Sequence, residues 1–189
     1  SSSAPWSSRS LPVTAIPTGI HPHQFADGDG RAARQRYGID EDAIVIGHVG
    51  RLAPEKNLPL LANALVRFLQ HEPGNAHALI VGAGASAAAV RDTFRRAGLS
   101  DRLHMPGTLE GRALADAYHA MNAFVFASTT ETQGMVLTEA MAAGVPVIAV
   151  DAPGAREVVT DQRNGRLLPD EDEKAFARAL AEFTNLSEA

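Results

Sequence analysis

Short apolar runs recur along the chain, with polar and periodic segments between them. They start at Val13 (VTAI), Ala43 (AIVIGHVG), His77 (HALIVG), Arg102 (RLHMPG), Ala123 (AFVFAS) and Val145 (VPVIAV). Each is apolar nearly throughout instead of alternating, the pattern of a strand covered on both faces. Helical patterns fill the intervals at about residues 57–71, 85–97, 111–121, 134–143 and 154–160. A further helix follows LLPDEDEKAFARALAEF, and a short one, RAARQRYG, precedes the second strand. Asn57 with Pro59 reads as a helix start, Gly98 and Gly144 as helix stops, and Asp170 with Glu173 as a capping arrangement. Strand and helix alternate, which predicts an α/β fold: a doubly wound, Rossmann-like parallel sheet.

Composition narrows the classes of function. At 189 residues and 45% hydrophobic content the chain suits a single core. Residues 1–12, rich in serine and carrying Trp6, read as a linker or tail, and residues 13–189 as the domain. A formal net charge of −5 argues against nonspecific attraction to nucleic acid or an anionic membrane, so an anion site must be local. With no cysteine, disulfides and thiolate metal sites are excluded, and no apolar run approaches the roughly 20 residues that span a bilayer. A cytoplasmic setting is the expectation, with peripheral contact at the inner membrane face left open.

In a sheet of this kind ligands meet the loops at the carboxyl ends of strands. The loop GHVGRLAPEKN offers Gly50, Arg51 and Lys56 just before a helix, and two cations with free amides suit a diphosphate; solvated surface charges are the plainer alternative. In IVGAGAS, Gly82 and Gly84 permit close backbone approach. The third glycine of a dinucleotide fingerprint is missing, so a tight structural turn reads better than a nicotinamide site. MPGTLEGR places Gly107, Thr108 and Leu109 where a flat heterocycle can lie, or where a turn merely caps a helix.

The stretch TTETQGMVLTEAMAAG carries two acids eight positions apart, Glu131 and Glu139. On one helix they would point about 80° from each other, so a break between them is expected: Glu131 in a strand-exit loop, Glu139 just over one turn into a helix. Amides of Gly134, Met135 and Val136 then form a helix N-terminus suited to phosphate, and Glu139 can accept from vicinal hydroxyls. Taken singly, either acid also reads as an exposed carboxylate.

Together these loops resemble the C-terminal, donor-binding half of retaining GT-B glycosyltransferases, group 1 (family 4). The likeness runs from IPTGIHPHQF to NGRLL, with GRLAPEKN, ETQGMVLTE and AMAAGVPVIAVDAPGAREVV between them. It implies that Arg51 and Lys56 neutralise the diphosphate of a UDP- or GDP-sugar, Glu131 faces the transferred sugar and Glu139 holds the ribose. Gln133, Gly134, Met135 and Val136 would contact sugar and phosphate through their amides, while Gly50, Gly82, Gly107, Thr108 and Leu109 complete the donor site. It further implies transfer to an acceptor hydroxyl with retained configuration, no cofactor and no metal. The acceptor, a lipid or small polyol, would bind an N-terminal half absent from this chain, leaving the domain inactive alone. Thr132 and Gln133 stand where many members have a glycine and an aromatic residue. A GT-B epimerase or sugar phosphorylase and a nucleotide-sensing regulatory module are the rival readings.

Some residues stand outside this scheme. His21 and His23 with Asp27 and Asp29 read better as a loop before a helix than as a metal cluster. His48 and His104, in strands, are expected to be packed or hydrogen-bonded core, and Arg156 with Glu157 a pair on a helix surface.

Overall fold

The computed structural model describes residues 23–71, 75–128, 135–159, 165–169 and 171–188, with the side chains of residues 23 and 185–188 left aside. Strands β1 (Ile44–Val49), β2 (Ala76–Val81), β3 (Leu103–Gly107), β4 (Ala123–Phe126), β5 (Val147–Val150) and β6 (Gly165–Leu168) form one parallel sheet in the order β3-β2-β1-β4-β5-β6. Helices α1 (His23–Ala26), α2 (Gly30–Tyr37), α3 (Leu58–His71), α4 (Ala87–Arg96), α5 (Gly111–Ala120), α6 (Met135–Ala142), α7 (Pro153–Val158) and α8 (Glu173–Glu188) cover it. The predicted doubly wound sheet is therefore present. The VTAI run from Val13 lies outside the described residues.

Both faces of the sheet are dry, which is why the strands read as continuous apolar runs. Val45, Leu79, Val81, Phe124 and Phe126 face one core, closed by α1, α2, α5, α6 and α7. Ile46, Ala78, Ile80, Val125 and Ile148 face the other, closed by α3, α4 and α8. Phe176 and Leu180 are fully buried and dock α8; each such side chain contributes about 1.5–3 kcal/mol on burial. Arg67 on α3 meets Glu173 on α8 at 3.3 Å.

Helix ends follow local chemistry. Gly98 and Gly144 adopt φ of 74° and 80°, and the residue after each returns its N–H to the last turn, Leu99 to Phe94 and Val145 to Ala140. Asn57 directly precedes α3, as the sequence predicts, and its carbonyl accepts from the Leu61 N–H at 3.3 Å. It sits in the left-handed region at φ 55°, ending a short 3-10 turn (Pro54–Lys56), and its amide reaches the Ala127 carbonyl at 3.4 Å. At α8 the capping acid among the described residues is Asp172, whose Oδ1 accepts from the Lys174 N–H at 2.9 Å; Asp170 lies outside them.

A buried cation fixes the N-terminal helices. Arg34 of α2 is 8% exposed and donates to the carbonyls of Ala120, Asp40, Glu41 and Ala43 and to Asn122 Oδ1, at 2.8–3.2 Å. One guanidinium thus ties α2, the entry to β1 and the end of α5.

Candidate functional site

The strand order reverses between β1 and β4, so a crevice opens at their carboxyl ends where connections leave in opposite directions. The exit of β1 is the basic loop, with Gly50, exposed Arg51 and half-buried Lys56. The exit of β4 is tied to it: Ser128 Oγ donates to the Glu55 carbonyl at 3.1 Å, and Asn57 reaches Ala127. Residues 129–134 lie outside the described residues, among them Glu131, Thr132, Gln133 and Gly134. The chain re-emerges in α6 with Met135, Val136 and Glu139.

Arg51 is not left alone by the fold. Its guanidinium pairs with Glu55, four residues on, a partner that sequence reasoning overlooked although an i,i+4 pair is a familiar helical signal. The Glu55 carboxyl is held below the usual range, first by its own backbone N–H and then by the Arg51 contact. Beneath this loop lies His48, 1% exposed, its Nδ1 2.9 Å from the Val125 carbonyl and its Nε2 without a partner. Burial, reinforced by the nearby Lys56 charge, lowers its pKa to about 4 against the opposing Val125 bond, so the ring is neutral at physiological pH. A neutral ring that donates from Nδ1 carries a lone pair on Nε2.

Three exit loops are stacked backbone on backbone. Gly50 N–H donates to Val81 O at 3.0 Å, Leu52 N–H to Ala83 O at 2.9 Å, and Gly82 N–H to Gly107 O at 2.8 Å. A Cβ on Gly82 would fall 1.9 Å from the Gly50 carbonyl, and one on Gly84 2.3 Å from that of Leu52. These two glycines therefore serve loop packing, as the structural-turn reading had it. Gly50 and Gly107 are different: a Cβ on Gly50 meets only His48 Nε2, at 3.6 Å, and one on Gly107 meets nothing within 4 Å. Thr108 is exposed, whereas Leu109 packs partly against the core beneath α5 and α6.

Glu139 lies half-buried on α6 and accepts a 2.7 Å hydrogen bond from the hydroxyl of Tyr118 on α5. Burial raises its pKa and the Tyr118 bond opposes that rise. The expectation that Glu139 stands free holds only in part, since one acceptor position is taken. Tyr118 was missed because a tyrosine at helical spacing reads as core, which its ring also is. Met135, 41% exposed, is the large apolar side chain left open among the described residues.

Other candidates fall away from this crevice. Asp29 caps α2, its Oδ1 accepting from Ala32 N–H at 3.0 Å while its own N–H donates to Asp116. Among the described residues no group of three or more His, Asp or Glu side chains gathers as a metal would need; His21 lies outside them. His104 is half-buried and bonded to His77 at 3.0 Å, so it is hydrogen-bonded without being deep core. Arg156 pairs with Asp151 at 2.8 Å, not with Glu157. No described helix is long and apolar enough to cross a membrane.

A parallel sheet with its basic loop and half-buried acid at the reversal point is the nucleotide-binding class of α/β domain. The chain belongs to the glycosyl transferases group 1, whose family model matches residues 29–189. It is 34% identical over 176 residues to the D-inositol 3-phosphate glycosyltransferase of Stackebrandtia nassauensis, covering 89% of this chain and 40% of that protein. The enzyme of the same name from Kribbella flavida is 35% identical over 177 residues, covering 89% and 42%. The chain thus spans about two fifths of the curated relatives it matches. Among solved structures, Anabaena HepE in complex with UDP and glucose superposes with a TM-score of 0.80 at 26% identity, over 92% of this chain and 47% of that one. The C-terminal domain of a group 1 glycosyltransferase from Francisella tularensis gives 0.78 at 23% identity over 90% of both chains. The fold is that of the C-terminal half of a GT-B glycosyltransferase.

Proposed function

We propose that this chain is the donor-binding domain of a retaining hexosyltransferase that moves a sugar from a UDP-sugar to a hydroxyl of a small polyol acceptor. The observation that carries this reading is the meeting of the basic loop after β1 with the segment leading to Glu139, on the two strands that flank the reversal of the sheet. Arg51 and Lys56 receive the diphosphate. Their charge matters most as the bond to the sugar breaks and negative charge gathers on the departing nucleoside diphosphate. Glu139 accepts from the ribose hydroxyls, Gly50 and Gly107 leave room for close backbone approach, and Met135 offers an apolar contact. Glu131 takes the transferred sugar, with Gln133 and Gly134 beside it.

UDP as the nucleotude carrier is supported by the HepE complex, and a polyol acceptor by the inositol phosphate in the relatives' names. The acceptor belongs to the other half of a GT-B enzyme, so turnover requires both halves and closure of the cleft. Calorimetry with UDP and GDP tests the donor site. UDP is expected to bind, and Lys56→Ala to weaken it by about 1.5–3 kcal/mol, the worth of a charged hydrogen bond to phosphate. Unchanged affinity in that variant rejects the assignment of the basic loop, and conversion of UDP-sugar without an acceptor rejects transfer in favour of epimerisation.

A further inference from the structure

Tyr118 is fully buried, and its ring is held edge-on by Phe25 at 5.6 Å and flanked by Phe124 at 6.0 Å. A buried phenol needs a hydrogen-bond partner, and a backbone carbonyl commonly serves. Here the Val136 carbonyl stands at 3.5 Å, but the short bond, 2.7 Å, goes to Glu139 Oε1. Burial first, and then the Glu139 charge, push the Tyr118 hydroxyl well above the usual phenol range, so it remains a donor at any working pH. The hydrogen bond occupies one position on Oε1. Oε2 and the second position on Oε1 stay available, enough for two vicinal hydroxyls. A carboxylate on a single flexible stem has several rotamers; a donor anchored in the core selects one.

Resting on the donor-site reading above, we propose that Tyr118 is a positioning residue: its hydroxyl fixes the Glu139 carboxylate in the orientation that grips both ribose hydroxyls, so ribose recognition depends on a fully buried phenol one βα unit upstream. The role goes beyond packing because the ring alone, as phenylalanine, would fill the same space between Phe25 and Phe124.

The test is calorimetry on the full chain with UDP and with 2′,3′-dideoxy-UDP, in the unaltered protein, Tyr118→Phe and Glu139→Gln. The unaltered protein is expected to prefer UDP. Tyr118→Phe should shrink that preference by about tenfold, the effect of one hydrogen bond to a charged group, while leaving the dideoxy affinity in place. Glu139→Gln should abolish most of the preference. A Tyr118→Phe variant that loses affinity for both nucleotides equally, or keeps the full preference, overturns the positioning role. No binding of UDP by the unaltered protein overturns the donor-site reading itself, and a preference that survives Glu139→Gln overturns the ribose assignment on which this inference rests. The pH profile gives a second readout. Without the phenol, burial acts unopposed on Glu139, so the acid limb of UDP binding should move to higher pH. Of the charged groups on elements packed against α6, Arg156 on α7 is engaged by Asp151, Glu157 is the other charge of α7, and His119 beside Tyr118 is bonded to the Phe25 carbonyl at 2.7 Å. An unmoved acid limb counts against the proposal.

Discussion

Replacing Gly82 by alanine tests the stacked loops that hold the basic segment in place. Gly82 has φ 138° and Gly50 φ 154°, a range nearly reserved for glycine, so alanine at either position costs about 1–3 kcal/mol in backbone strain. The two differ in what a methyl group meets. At Gly50 it finds His48 Nε2 at 3.6 Å, an ordinary contact; at Gly82 it falls 1.9 Å from the Gly50 carbonyl, where real contacts stay beyond 3.0 Å. The β1 and β2 exits must then part by at least about 1 Å, weakening the Gly50 to Val81 and Leu52 to Ala83 hydrogen bonds, each worth about 1 kcal/mol. Gly82→Ala should therefore lose about 3–5 kcal/mol, some 2 kcal/mol more than Gly50→Ala, measured by urea unfolding. On the proposed assignment, Arg51 displaced with Gly50 should also lose affinity for UDP, since a misplacement of about 1 Å can cost a hundredfold. Equal stability of the two variants would refute the packing argument.

Arg34→Met leaves the buried carbonyls of Ala43 and Ala120 without donors and should cost about 3–5 kcal/mol, seen as a thermal midpoint lower by roughly 6–20 °C; a loss below about 1 kcal/mol contradicts this account. His48 titrates near 4 in the folded chain and near 6.5 unfolded, so stability is complete above pH 6.5 and falls as pH drops through 4, by roughly 3 kcal/mol. Urea titrations at several pH values should show a shallower fall in His48→Gln, and identical slopes would exclude His48 as the source. Glu55→Gln releases Arg51, so, if Arg51 receives the diphosphate as proposed, UDP affinity should rise by up to about fivefold at low salt. A weaker complex would mean that Glu55 holds Arg51 in its binding pose.

The fold was largely legible because burial on both faces writes a strand as an unbroken apolar run. Five of the runs became β1 to β5 with ends within a few residues. β6 shows no such run of its own, since Arg166 and Leu167 on this edge strand are only half-buried. Capping was harder. Asn57 has the composition of a cap, but the 3-10 turn at Pro54–Lys56 ends on it and leaves it left-handed. The acid that accepts from Lys174 N–H, Asp172, could not be singled out because it depends on the register of α8.

For the site, sequence spacing locates loops but cannot see what reaches them from neighbouring units. Arg51, Lys56 and Glu139 could be read because each sits at a strand exit in its own βα unit. Tyr118, Asn57 and Ser128 could not, since each acts across units: 21 residues separate Tyr118 from the carboxylate it bonds, and 73 separate Ser128 from the Glu55 carbonyl. The Asn57 and Ser128 links exist because β1 and β4 lie side by side, although 77 residues separate Ile46 from its partner Ala123 and the chain runs through β2 and β3 between them. The link from α5 to α6 has a chemical consequence. Glu139 sits in half-dry surroundings that favour its neutral form, where it would donate one proton instead of accepting from two hydroxyls. The Tyr118 hydroxyl opposes that tendency, so the proposed donor site would depend on a core contact of α5 as much as on the loops at the strand exits.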